Sequence, residues 1–513
     1  MNRHPISALR LLAIFAALGA CTRAGEPAAN PVQVTPMAEL AAQVKALRDK
    51  YPKYDITPRP DDGKNLALSV AKWEGRAGIP GKPFVVWAVG ASWTAGLGSD
   101  GKMLEYAIRQ RFPQAPPIVY RMFAGSGTPW NYARGWVKQF VIPDQPDLIL
   151  TYTNGDPKLL DMMLAEIRAT STADIIVPTL HLLSHEDSMA PDFVERGTST
   201  YGDTISAIRD ICSRWGVEFV ENRREMAAYL HRIGQSPAVL RSDSAHQNEY
   251  GVLRTWDNIT RHIAKPKAFN YAPQSRERRL PVSPAARTAT ENVELSAGWT
   301  LTGGVARTDR AGERIKIRFT ANRIDLLGQK RSGGGSVKVW IDGVPAEQAP
   351  AFFTSRIEVQ PVSWPWKFPD AGVGDIGPHG VDLGDNLVPQ TWTITMTDDN
   401  GNYLLSGSVT GPDGQGNAAT YLHSWSGQIS IDPALWRYNF RDGVFGNRKG
   451  DKYVFQVYRN AVGTVRFAAP EAGPFNVPLV QNLPVGTHTL EIEAQGDGEV
   501  IIDSFYVYQP PGR

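Results

Sequence analysis

Two hydrophobic periodicities divide the chain. From about residue 36 to residue 265, short apolar runs alternate with segments whose apolar positions recur every three or four residues. The runs 84–89, 117–122, 147–152, 174–178 and 217–220 read as strands. Leu40, Val44 and Leu47 mark an amphipathic helix, and further helices are predicted over 103–112, 157–169, 205–215 and 249–263. Apolar strands alternating with helices imply a parallel sheet covered on both faces. Reactive side chains of such folds gather at the carboxyl ends of the strands. Beyond residue 290 the helical period nearly vanishes. Alternating runs such as 314–319, 336–340, 392–396, 453–457, 487–492 and 500–505 replace it, separated by Gly, Asp, Asn and Pro turns. They predict an all-β sandwich or jelly roll. One arrangement of it inserts a unit at 361–480 into a sandwich built from 291–345 and 483–509. Residues 266–290, with Pro273, Arg276, Arg278, Arg279, Pro281 and Pro284, read as a linker.

The N-terminus follows neither pattern. Arg3 and Arg10 precede an apolar run over 11–20 that is too short to span a bilayer and fits a signal-peptide core. The run ends Leu18-Gly19-Ala20-Cys21, which resembles a bacterial lipobox. That resemblance implies lipidation of Cys21 and, with Thr22 next, sorting to an outer membrane. Residues 21–35 read as a flexible tether. The expected organisation is therefore a signal at 1–20, the tether at 21–35, an α/β domain at 36–265, the linker, and a β region at 291–513.

Composition narrows the function classes. The chain has 513 residues and a formal charge of +2. Loss of Arg3 and Arg10 with the signal leaves it neutral, so nothing asks for nucleic acid or for an anionic membrane surface. Its 2 cysteines exclude a disulfide framework and a Cys-based zinc site. Cys212 falls in a helical pattern and reads as a core thiol. Its 14 Trp point to flat binding surfaces as well as cores.

Four blocks at the ends of strands carry candidate chemistry. Gly90-Ala91-Ser92-Trp93-Thr94-Ala95-Gly96 places a serine in a tight strand-to-helix turn, where backbone N–H groups can face an oxyanion. Gly125-Ser126-Gly127-Thr128 offers close backbone approach to a carbonyl oxygen, and Thr153-Asn154-Gly155-Asp156 offers an amide donor. Asp243-Ser244-Ala245-His246-Gln247-Asn248 supplies a general base, His246, with a carboxylate three residues earlier to orient it. Each block alone is an ordinary turn.

Together, over roughly 80–265, the blocks resemble the SGNH (GDSL-like) hydrolases, whose Ser, Gly, Asn and His occur in this chain order. The resemblance implies a flavodoxin-like three-layer α/β domain and an esterase. It makes Ser92 the nucleophile, Asp243 and His246 its partners, and Gly127 (or Gly125) and Asn154 the oxyanion donors. Asn248 and Gly251 match the family's ending of the histidine block. Two positions depart from the pattern. Ala91 replaces the usual Asp, and Thr153-Asn154-Gly155-Asp156 replaces Gly-x-Asn-Asp. No cofactor or metal is required.

The expected substrate is an acyl ester, foremost acetyl, on a polysaccharide or oligosaccharide. Trp93 and Trp130 are candidate sugar-stacking residues, and His181 and His185 candidate cleft residues. The tryptophan-rich β region vaguely resembles carbohydrate-binding modules. The acidic clusters at 398–402 and 413–417 read as turns before calcium sites. Alternative readings are a lipase, thioesterase or arylesterase, a polysaccharide O-acyltransferase, and a non-catalytic glycan-binding protein.

Overall fold

The computed structural model describes residues 34–125, 129–152, 156–182, 204–269, 276–283, 292–345, 348–357, 377–437, 447–459 and 463–511. Its first layer system is one parallel sheet of β1 (Phe84–Ala91), β2 (Ile118–Gly125), β3 (Leu148–Tyr152), β4 (Asp174–Pro178) and β5 (Glu218–Val220), in the order β2-β1-β3-β4-β5. All neighbours run parallel. This is the flavodoxin-like order expected from the sequence, and its switch point lies between β1 and β3.

Alternation along β1 sends its side chains to two separate cores. Val86 and Ala88 join Val70, Trp73, Leu104, Ile108, Leu253, Trp256 and Ile259 on one face. Val85, Trp87 and Val89 join Val137, Phe140, Leu164, Ile167 and Ile211 on the other. Cys212 is buried in this second core, and burial pushes its thiol pKa up, away from reactivity. Three helical segments are not marked by the sequence pattern. Ala67–Trp73 is buried on every side and so shows no polar face. Tyr132–Val141 is π-helical and interrupted at Gly135. Asn222–Ile233 opens on a polar run that hides its apolar period. Among the described residues no helix is long and apolar enough to cross a membrane.

Among the described residues beyond 276, the sheets are antiparallel, as expected. One sheet contains Arg314–Ala321, Gly486–Ala494 and Ser336–Ile341, and a second contains Arg323–Lys330, Val500–Tyr508 and Gly473–Val480. Their inward faces share one core that includes Ile317, Ile492, Leu326 and Phe505. A third sheet is built from Phe353–Ile357, Lys452–Arg459, Gln390–Met396, Asn402–Gly407 and Gly411–Asn417. Thr464–Arg466 and Gly473–Val480, expected inside an inserted unit ending at 480, pair instead with Ser336–Ile341 and Arg323–Lys330 of the outer sandwich. Partners so distant in sequence leave no local signal.

The expected linker 266–290 holds the strand Glu277–Pro281, which pairs with Val500–Tyr508. Its start is not solvated. Lys72 donates to Asp147 at 2.5 Å and to Glu277 at 2.9 Å, while Arg276 donates to Asp174 at 2.5 Å. All five are buried. Burial opposes the charge on Lys72, yet Asp147 and Glu277 hold its pKa above the usual lysine value. Asp147 and Asp174 stand at the amino ends of β3 and β4, so this ionic seam welds the β region to the end of the sheet opposite the switch point. Lys72→Met strands two buried carboxylates, and the expected loss is about 3–5 kcal/mol of unfolding free energy. Urea titration checks it, and a change under about 1 kcal/mol would show the seam to be dispensable.

Candidate active site

β1 ends at Ala91, and the short helix Ser92–Gly96 begins at once. The turn is tight enough to demand glycine at position 90. A Cβ there would stand 2.1 Å from the Tyr152 carbonyl oxygen and 2.3 Å from Thr94 Oγ1. The Thr94 hydroxyl donates to that same carbonyl at 2.7 Å, clipping the turn to the end of β3. From the other side, Gly90 N–H donates to the Tyr132 hydroxyl at 2.8 Å, and that hydroxyl donates back to the Gly90 carbonyl at 2.9 Å. Ser92 is thereby left exposed beside the switch point.

The loop before the helix Glu249–Arg261 brings His246 to it. His246 Nε2 lies 2.9 Å from Ser92 Oγ, across 154 residues of chain. His246 Nδ1 lies 2.9 Å and 3.2 Å from the two Asp243 oxygens. Asp243 also accepts the N–H groups of Ala245 and His246, each at 2.7 Å. Those backbone donors, then the imidazole, pull its carboxyl down to about 2. An ionised Asp243 can only accept, so Nδ1 carries the proton and Nε2 is free to accept from Ser92. This is the tautomer a general base needs, and the arrangement can take the serine proton as its oxygen attacks a carbonyl.

Asn248 and Gly251 set where the loop ends. The Asn248 side chain caps the helix, accepting Gly251 N–H at 3.0 Å, and its amide donates to Val239 O at 2.9 Å. Any Cβ at Gly251 would meet Leu240 O at 2.2 Å. A second pair of contacts holds the loop from inside. The Ala245 carbonyl accepts Trp93 Nε1–H and His181 Nε2–H, both at 2.8 Å. His181 Nδ1 in turn accepts the Tyr152 hydroxyl at 2.8 Å. Burial pushes His181 down to about 4, so the ring is neutral.

His181, expected in the cleft, is only 1% exposed and acts as an internal strut. Trp93 is half-buried with its N–H committed to the loop. Tyr132 and Tyr152 were not marked by the sequence. Tyr152 could have been found as the last residue of a strand, but Tyr132 has no local signal. Gly127, Asn154, His185 and Cys21 lie outside the described residues, and so does the side chain of Trp130. The cluster at 398–402 is a turn, in which Asp398 accepts Asn400 N–H and Asn402 N–H, whereas that at 413–417, expected to be a turn, lies in the strand Gly411–Asn417, where Asp413 accepts Ser426 N–H and its hydroxyl. Among the described residues no three His, Cys, Asp or Glu are grouped as a metal site.

No family model matches the sequence, and no curated protein matches it. Among solved structures, the chain is similar to a two-domain esterase (CEX) active on acetylated mannans, at 11% identity and a TM-score of 0.31, covering 88% of this chain and 96% of that one. It is also similar to Axe2, an acetylxylan esterase from Geobacillus stearothermophilus, at 15% identity and a TM-score of 0.28, covering 37% of this chain and 99% of that one. A GDSL-like lipase structure from Parabacteroides merdae aligns at 13% identity and a TM-score of 0.28, over 35% of this chain and 97% of that one.

The neutral state of His181 has a pH signature. Its pKa falls from 6.5 in the unfolded chain to about 4 in the folded one, so the unfolded state takes up the proton first. Stability is therefore full above pH 6.5 and is lost as pH falls from 6.5 towards 4. His181→Gln removes this titration. The expected outcome in urea unfolding is a shallower loss between neutral and acid pH than wild type shows, and equal slopes would refute the assignment.

Proposed function

We propose that this chain is a serine ester hydrolase of the SGNH type that removes an acyl group, foremost acetyl, from a polysaccharide or oligosaccharide. The observation that carries the reading is the continuous relay from Ser92 through His246 to Asp243, at 2.9 Å per link, beside the switch point of a parallel sheet.

Ser92 Oγ attacks the ester carbonyl as His246 Nε2 takes its proton. Collapse of the tetrahedral intermediate breaks the bond to the sugar oxygen, which His246 protonates so that it leaves as a hydroxyl. Water, deprotonated by His246, then attacks the acyl-enzyme and releases the acid. Asp243 remains a carboxylate throughout and stabilises the imidazolium. The Ser92 N–H, first in its helix and without an intrahelical acceptor, is one oxyanion donor in this reading. The family resemblance adds Gly127 N–H and the Asn154 amide. Exposure of both Ser92 and His246 supports a bulky polymeric alcohol rather than a small ester drawn into a tunnel. Exposed rings on the β region, Trp425 at 69% and Tyr421 at 50%, fit a glycan substrate that stacks on flat aromatic faces. The same reading puts the enzyme outside the cytoplasm, anchored through lipid on Cys21. Palmitate labelling that persists in Cys21→Ala would exclude the anchor.

The purified protein is expected to hydrolyse p-nitrophenyl acetate and to release acetate from acetylated polysaccharides. Ser92→Ala is expected to lower kcat by at least about 10³-fold, and Asp243→Asn by about 10⁴-fold, the cost of presenting the wrong tautomer. A Ser92→Ala protein as active as wild type would end the proposal. Falling rates with longer acyl chains separate a deacetylase from a lipase, and transfer of acetate to a sugar acceptor would favour the acyltransferase reading instead.

A further inference from the structure

The helix that grips the Ser92 turn is itself gripped by the β region. Pro129–Asn131 and the π-helical stretch Tyr132–Val141 follow β2 in the chain. π-Helical geometry is rare and frequently marks functional sites. On its outer side, Gly135 lies so close to the β region that a Cβ would stand 2.1 Å from the His379 carbonyl oxygen. His379 is buried, and its Nδ1–H donates to the Leu435 carbonyl at 3.0 Å. Burial pushes the ring down to about 4, so it is neutral and Nε2 is an acceptor. The group donating to it is the fully buried Asn131 amide, at 2.9 Å. The next residue, Tyr132, faces the other way and closes two hydrogen bonds on Gly90, two residues before Ser92, with a third contact to the Phe123 carbonyl.

We infer that the β region is a working part of the hydrolase site, with His379 as a positioning residue that acts through Asn131 and Tyr132 on the Gly90–Ser92 turn. The inference rests on the hydrolase reading above. A seam that served only to join two bodies would need apolar area, and its contacts would be interchangeable. This one is directional. The single unprotonated nitrogen of a buried imidazole fixes one amide, and a hydroxyl one residue later fixes the backbone beside the nucleophile. The rest of the helix is fastened in the same sense. Arg134 donates to the Ala434 carbonyl, Gln139 donates to Ser355 at 2.7 Å, and Arg356 donates to Asp144 at 2.9 Å just beyond the helix. A shift of the Tyr132 hydroxyl moves Gly90, and misplacement of a reacting atom by about 1 Å costs on the order of 10²-fold in rate.

The test measures kcat and KM for p-nitrophenyl acetate on the full chain. His379→Leu is expected to lower kcat by about 10-fold or more with KM within about twofold, because ground-state binding is untouched and only alignment is lost. His379→Gln, whose side-chain oxygen can accept from Asn131, is expected to recover most of the loss. Ser355→Ala, which weakens the same seam at the far end of the helix, is expected to keep wild-type kcat. Should His379→Leu fail to fold, Tyr132→Phe keeps the ring and removes only the hydroxyl, and the same drop in kcat is expected of it. Wild-type kcat in His379→Leu or in Tyr132→Phe overturns the inference. So does a loss that His379→Gln does not repair, or an equal loss in Ser355→Ala. An inactive wild type overturns this inference together with the hydrolase reading, whereas an active wild type with an equally active His379→Leu overturns this inference alone.

Discussion

The carbonyl of Ala245 is the point on which the site's geometry turns. The loop that carries Asp243 and His246 is exposed and short, and its own hydrogen bonds are local ones, from the N–H groups of Ala245 and His246 to Asp243 and from Ser242 N–H to the His246 carbonyl. Left to itself, such a loop has many orientations. Two donors remove that freedom, Trp93 from the helix that begins at Ser92 and His181 from behind β4. Because Trp93 is the residue next to Ser92, the same contact that holds the His246 loop also measures its distance from the serine. Each bond is worth about 1 kcal/mol in stability, but their effect on alignment is larger than that figure implies.

The two ends of the parallel sheet do opposite work. At the amino ends of β3 and β4, buried charges pair across the seam: Lys72 with Asp147 and Glu277, Arg276 with Asp174. Such a cluster adds little net stability over an apolar replacement, yet it tolerates no partial loss. It therefore holds the strand Glu277–Pro281, and with it the β region, in one place. At the carboxyl ends Asp243 and His246 are exposed, and the imidazoles buried behind them are neutral. His181 and His379 both lose their charge to burial, which makes each ring a fixed donor on one nitrogen and a fixed acceptor on the other. Neutral imidazoles suit this task because their hydrogen-bond polarity is set by a single partner.

A π-helical segment joins these two ends. Phe140 and Val137 sit in the sheet's second core, Tyr132 reaches the Ser92 turn, and Gly135 meets His379. One short element thus touches the core, the site and the β region, which is why its irregular winding is held rather than relaxed.

The sequence by itself determined the alternation of strands and helices, the all-β second half, and the three residues Ser92, Asp243 and His246. Those were readable because a buried parallel strand must be continuously apolar, and because a serine at a strand end and a histidine just ahead of a helix are visible wherever their partners lie. It did not mark the helix at 132–141, since Gly135 breaks the period and exists to admit the His379 carbonyl. It took Lys72's partners for parts of a strand and a linker, because charge pairing across two hundred residues has no local pattern. It left His181 in the cleft, because burial is a property of packing. Tertiary structure alone decided which imidazoles are neutral, which carbonyl they hold, and that residues of the β region reach the helix behind Ser92. Hydrogen-bond direction depends on what stands opposite each atom, and only the folded chain supplies that.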